Sequence, residues 1–150
     1  YIKTKDASEL VNILKKKLNL TKLTQEQDHI LKGAVLLYKD RENNLNDFVK
    51  NISYFFNKPS IDSELMKKYF NEDSSRLIKL FINQVADAEW SDEGLNQFLK
   101  EFVKNNEIKF PVIAMPLRIL LTGNDHTPSV GSIIYLLGFD EFKSRVKEYL

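Results

Sequence analysis

Apolar residues recur three and four apart along nearly the whole chain, and this period decides the fold class. The clearest stretch is Leu45, Phe48, Val49, Ile52, Phe55 and Phe56, which fall on one face of a helix. Asn43 or Asn44 stands where its N-cap belongs, and Pro59 ends it, because proline disfavours helical geometry in its predecessor. The same pattern repeats on both sides. Asp6-Ala7-Ser8-Glu9 opens a helix with Leu10, Val11, Leu14 and Leu18 inward. Thr24-Gln25-Glu26-Gln27 is a capping-box pattern ahead of Ile30, Leu31, Ala34, Val35 and Tyr38. A short helix near 62–70 is expected to bury Leu65, Met66, Tyr69 and Phe70. Asn71-Glu72-Asp73-Ser74 caps the next, with Leu77, Leu80, Phe81 and Val85 inward. Ser91-Asp92-Glu93 opens another, with Leu95, Phe98, Leu99, Phe102 and Val103 as its stripe, and Trp90 before the cap reads as a hydrophobic staple. Sustained strict alternation and hairpin dipeptides such as Asn-Gly are missing. The chain is therefore expected to be all-α, with at least seven helices and no sheet.

The last third changes character. Three of the four prolines (Pro111, Pro116, Pro128) and three of the five glycines (Gly123, Gly131, Gly138) lie there. Pro111 suits a first helical turn, and Pro116 is expected to kink or restart that helix. Thr122-Gly123 reads as a helix C-terminus, Asn124-Asp125-His126 as loop, and Thr127-Pro128 as an N-cap and N1 pair. Gly138 closes that helix, and a final one is expected over 139–150. With the Asn105-Asn106 pair, this divides the chain near 104–110 into two small helical subdomains, 1–106 and 107–150.

The chemistry is limited by what is missing. Cysteine is absent, which removes disulfides, thiolate metal sites and cysteine nucleophiles together. There are two histidines, His29 and His126, far apart. No phosphate loop, dinucleotide fingerprint, His-Glu-x-x-His or nucleophile elbow occurs. Carboxylate pairs such as Asp92/Glu93 and Glu72/Asp73 sit at helix starts, where the dipole and capping account for them. The polar N-terminus, Tyr1 to Asp6, is no signal peptide, and no apolar run approaches the roughly 18 residues a membrane span needs. A cytoplasmic, cofactor-free domain is expected, without membrane contact.

Net charge is +1, from 22 basic and 21 acidic residues. Residues 1–24 carry a net +4 and residues 58–107 a net −3. Lys15-Lys16-Lys17 reads first as a solvated helix face and second as a phosphate contact. No helix concentrates Arg/Lys with Asn/Gln as a DNA-recognition helix would, so no DNA partner is expected.

Arg118 stands apart, since residues 112–121 hold no other ionisable group. An arginine in so apolar a helix must surface at an edge or meet an acceptor. One reading is a structural salt bridge to a neighbouring helix. The other is a guanidinium held at a groove, ready for base edges or stacking.

Several segments in order resemble the C-terminal end of the bacterial glutamyl-tRNA synthetase family, class I aminoacyl-tRNA synthetases. They are Arg41-Glu42-Asn43-Asn44-Leu45; Phe55-Phe56 before Pro59; Ala88-Glu89-Trp90-Ser91; Pro116-Leu117-Arg118 through Thr122-Gly123; Thr127-Pro128; and Leu136-Leu137-Gly138 followed by Arg145. The resemblance covers nearly the whole chain. It implies an anticodon-binding region of two all-α subdomains, and a fragment without the catalytic domain, since His-Ile-Gly-His and Lys-Met-Ser-Lys-Ser are both missing. It implies no catalysis by this chain and no cofactor in it, with ATP and magnesium confined to the catalytic domain of a glutamate-tRNA ligase parent. The partner would be glutamate tRNA, with glutamine tRNA as a further candidate, bound by a monomer. Arg118 matches the arginine that contacts anticodon bases. Thr127 and Pro128 match the pair that shapes the base pockets, and Val130 and Gly131 take the next positions lining them. Gly131 stands where related enzymes can carry a bulkier residue. Arg41 matches by pattern the arginine of the third anticodon base, with Asn44 in place of the usual Thr. Asn124, Asp125 and His126 could add contacts. The alternative is a helical protein–protein interaction domain with no RNA role, docking partner helices in an apolar groove.

Overall fold

The structure is a computed structural model that describes residues 6–18 and 23–150. Lys3, Lys5 and Lys22 of the basic segment 1–24, and the N-terminal stretch before Asp6, lie outside the described residues. Among the described residues there are nine α-helices and no strand. These are α1 (Ala7–Lys17), α2 (Gln25–Tyr38), α3 (Leu45–Ile52), α4 (Ser63–Tyr69), α5 (Glu72–Val85), α6 (Asp92–Asn105), α7 (Phe110–Thr122), α8 (Val130–Leu137) and α9 (Phe139–Lys147). The all-α expectation holds.

Side-chain caps start the first six helices. Asp6 accepts from the Ser8 amide at 3.1 Å. Thr24 and Gln27 form the full capping box at 3.1 and 3.2 Å. Asn44, not Asn43, caps α3, taking the Asp47 amide at 2.8 Å. Asp62, Asn71 and Ser91 serve α4, α5 and α6 in the same way. Such caps satisfy amides that would otherwise lack partners, each contributing about 1 kcal/mol. None of the last three helices has a side-chain cap, so α7 to α9 are placed by packing.

The chain forms two compact units, Tyr1–Asn57 and Lys58–Leu150. The sequence division near 104–110 falls at the α6–α7 connection, inside the second unit, where α6 packs on both α7 and α8. In the first unit α1 packs on α2, and α2 on α3. The helix expected through Phe56 tightens at its end. α3 stops at Ile52 and a 3₁₀ turn takes Ser53–Phe55. That turns Tyr54 inward, where its hydroxyl meets that of Tyr38 at 2.8 Å.

In the second unit Phe81 of α5 is fully buried and meets three rings edge-on. Phe98 and Phe102 of α6 lie at 5.4 and 5.3 Å, and Phe142 of α9 at 6.0 Å. α7 touches α4, α5, α6, α8 and α9, and it buries residues on every side. It runs unbroken through Pro116, so the expected restart does not occur. Only Val112 loses its helical donor, and it lies at the exposed start of the helix. Several expectations need correction. Leu65, Met66, Tyr69 and Phe70 are half-buried, because α4 is short and lies at the surface. α8 starts at Val130 with Ser129 as N-cap, two residues later than Thr127-Pro128 suggested. α9 ends at Lys147, and residues 148–150 close in turns. Trp90 hydrogen-bonds the Tyr135 carbonyl at 3.3 Å and sets its ring against Phe139, so its partners lie on α8 and α9.

Candidate nucleic-acid interface

The α7–loop–α8 corner gathers five of the six residues singled out from the sequence. Arg118 is half-buried on the central helix of its unit, and its guanidinium donates to Met115 Sδ at 3.1 Å. A helix packed on five others gives that side chain a rigid base. One turn on, Thr122 ties the helix to the loop. Its buried hydroxyl accepts from the Asn124 amide at 3.0 Å and donates back to the Arg118 carbonyl at 2.8 Å. Gly123 then turns the chain with φ +71°, which a side chain would strain. Pro59 and Ser60 stand directly behind it, 3.2 Å from where a Cβ would lie.

The loop itself is braced by local bonds. Asn124 Oδ1 accepts from the His126 amide at 2.9 Å, and Thr127 donates to the Pro128 carbonyl at 2.8 Å. Thr127 is half-buried and His126 exposed. Pro128 and Val130 are buried, so they form the floor of the corner. Gly131 is buried too, against α6. A Cβ there would fall on the Asn96 carboxamide and 2.9 Å from the Asn96 backbone nitrogen. Glycine is needed at this point for helix–helix approach.

Arg41 belongs to the other unit. It is exposed on the turn after α2, with its amide on the Tyr38 carbonyl at 2.9 Å. Glu42 beside it is buried and accepts from Asn51 at 2.7 Å, and Asn44 caps α3. The turn is thereby fixed and presents Arg41 outward. In the same unit, Lys15 and Lys32 approach Asp28 at 3.5 and 2.9 Å. The hydrogen bond from Lys32 holds the Asp28 carboxyl below the usual aspartate range; burial opposes this, and the charges of Lys32 and Lys15 add to it. Lys16 and Lys17 stay exposed in the last turn of α1, where they complement the helix dipole.

Charge also marks where an anion would not dock. A cleft of about 830 Å³ along the start of α6 is lined by Asp87, Glu89, Asp92, Glu93 and Glu101, with Lys100 as its one cation. Arg145, 4 % exposed, pairs with Glu141 at 2.8 Å within α9. Asn96 is not legible in the sequence, because the two α8 serines it meets, Ser129 and Ser132, lie more than thirty residues away. Among the described residues no cluster of side chains suited to a metal ion occurs, and no helix is long and apolar enough to cross a membrane.

Residues 7–150 match the family model of the anticodon binding domain. The chain is 33% identical over its whole length to the glutamate–tRNA ligase of Methylobacillus flagellatus, and 30% identical to that of Dechloromonas aromatica. It spans 32% of the length of each. Its backbone superposes on a glutamate tRNA ligase from Elizabethkingia meningosepticum, solved in complex with its amino acid, with a TM-score of 0.86. That match covers 99% of this chain and 30% of the other, at 20% identity, and so speaks for the fold. The glutamate-tRNA synthetase of Elizabethkingia anophelis gives a TM-score of 0.82 at the same identity. With the family model matched over all but the first six residues, the chain belongs to the anticodon binding domain family.

Proposed function

We propose that this chain recognises the anticodon of glutamate tRNA, as the C-terminal anticodon-binding part of a cytoplasmic glutamate–tRNA ligase. The observation that carries the reading is Arg118, the lone charge on a helix packed against five others, joined through Thr122 to a braced loop. Anticodon bases are single-stranded and can be splayed apart, so a protein reads them with pockets, stacking and edge hydrogen bonds. That requires a few fixed polar groups on a rigid scaffold more than a large basic surface. A chain of net charge +1 suits such a task.

In this reading Arg118 forks to a base edge, Thr127 adds a polar group from the loop, and Pro128, Val130 and Gly131 support the pocket. Arg41 meets a second base from its own unit, and Lys16 and Lys17 hold phosphates. The chain works as a monomer and needs no cofactor. ATP and magnesium serve a catalytic domain elsewhere in the parent ligase. The test is a gel shift of the chain with glutamate tRNA, competed by tRNAs with substituted anticodons. Competition that follows the anticodon supports the reading. Equal competition by every tRNA, or no shift, refutes it.

A further inference from the structure

One side chain on α6 holds the start of α8 at several points. The Asn96 carboxamide donates to the Asp92 carbonyl of its own helix at 2.8 Å, which fixes its orientation. Its Oδ1 accepts from the Ser129 hydroxyl, and its Nδ2 reaches Ser132 Oγ at 3.4 Å. Gly131 lies between the two serines, and a Cβ there would come within 2.7 Å of Asn96 Cγ. Donor and acceptor of the carboxamide are both engaged, and the backbone of α8 lies against it.

Ser129 makes the clasp more telling. It stands at the N-cap of α8, where a serine ordinarily accepts from a first-turn amide, yet its side chain makes no capping bond. Its hydroxyl goes to Asn96 instead. The chain gives up a local contribution for a bond that crosses between helices. Thr127 and Pro128 immediately precede Ser129, and Val130 follows it. The near end of the loop is tied by Thr122. At the far end, Asn96 ties it.

We infer that Asn96 is a positioning residue for anticodon discrimination: through Ser129 and the close approach at Gly131 it sets where Thr127 and Pro128 stand, without touching RNA itself. The inference rests on the anticodon reading proposed above. No capping pattern or apolar period points to Asn96; the two hydrogen bonds to α8 and the glycine contact do.

The test is a pair of binding titrations for each protein, with glutamate tRNA and with the same transcript carrying substituted anticodon bases. The ratio of the two affinities is the readout, with circular dichroism and Tm recorded alongside. A wild-type ratio of one overturns the anticodon reading itself, before the clasp is in question. With a wild-type ratio above one, Asn96→Ala is expected to reduce it by about tenfold while the affinity for the substituted tRNA stays within about twofold. Ser129→Ala, at an exposed site, should reduce the ratio less and keep the fold; it decides the matter should Asn96→Ala not fold. The double variant should be no worse than Asn96→Ala, because both single changes remove the same bond. A folded variant with a wild-type ratio overturns the inference. So does an equal loss for both tRNAs with a lowered Tm, which is what a purely structural asparagine would give.

Discussion

Arg118 and Gly131 show how a single position can carry two different physical demands. Arg118 is held by a helix that cannot easily shift, so removing its guanidinium tests the contact more than the fold. Arg118→Ala should cost about 1–3 kcal/mol of tRNA binding, and the loss should shrink when the contacted base is changed. Arg118→Lys should recover little, since an ammonium cannot reproduce a planar bidentate fork. A double-mutant cycle against anticodon substitutions measures this; zero coupling at every base with folding intact removes Arg118 from base reading. Gly131 makes the opposite case. In an open helix Gly→Ala gains about 1 kcal/mol in propensity. Here the added methyl would meet the Asn96 backbone nitrogen at 2.9 Å, and backbone gives way less readily than a side-chain tip. Overpacking should win, so Gly131→Ala should destabilise by about 1–3 kcal/mol, read as a fall in Tm. A raised Tm would show that α8 can back away from α6. Only one of the two demands is legible in the residue's own neighbourhood. A lone arginine in an apolar run can be seen in sequence, but the reason for this glycine lies 35 residues upstream.

The helices were legible because their signals are local. Thr24 and Gln27 sit three apart and bond reciprocally, and the Leu31, Ala34, Val35, Tyr38 stripe faces inward as its spacing requires. The pattern fails where tertiary packing decides. Ser129 lies next to Thr127-Pro128, the better cap signal, but its bond to Asn96 and the burial of Pro128 move the start of α8. Tyr54 lies off the 3.6 period and is buried all the same, because a 3₁₀ turn rotates it inward. At this scale Phe81 is the joint between α5, α6 and α9. Phe81→Ala should cost about 3–5 kcal/mol, more than an exposed ring would, because the cavity borders three rings at once. Chemical denaturation measures it, and a cost below about 1 kcal/mol would mean the rings collapse into the space. The α1–α2 pair carries a weaker joint. Asp28 has its folded pKa below the unfolded one, so its bonds to Lys32 and Lys15 contribute above the unfolded pKa and lose their contribution as pH falls through the folded one. The Tm difference between wild type and Asp28→Asn should be largest near neutral pH and close below about pH 4. A difference independent of pH would assign the effect to the change of shape.

For the whole molecule the decisive quantity is charge, and it separates reading bases from gripping backbone. The chain has a net charge of only +1, and its cleft along α6 is lined with carboxylates that repel an RNA backbone. Exposed cations of the first unit include Lys16 and Lys17 in the last turn of α1, Lys32 on α2, where it pairs with Asp28, Arg41 on the turn after α2, and Lys50 on α3. Each phosphate held releases counterions and steepens the fall of affinity with salt. A binder making six to ten such contacts loses roughly 10³–10⁵ in affinity between 50 and 200 mM salt. With two or three phosphate contacts, this chain should lose only about tenfold over the same range. Removing the two lysines together should flatten the remaining slope while leaving the preference among anticodons unchanged. Arg118→Ala should do the reverse, cutting the preference and leaving the slope nearly as it was. The measurement is tRNA affinity at four or more salt concentrations for the wild type and both variants. A thousandfold loss in the wild type would mean that backbone charge drives binding, and the corner around Arg118 would then add selectivity to an affinity made elsewhere. A shallow slope with a preference that vanishes in Arg118→Ala would put most of the binding free energy in a few fixed groups, as expected of a braced corner on a chain whose 22 basic and 21 acidic residues nearly cancel.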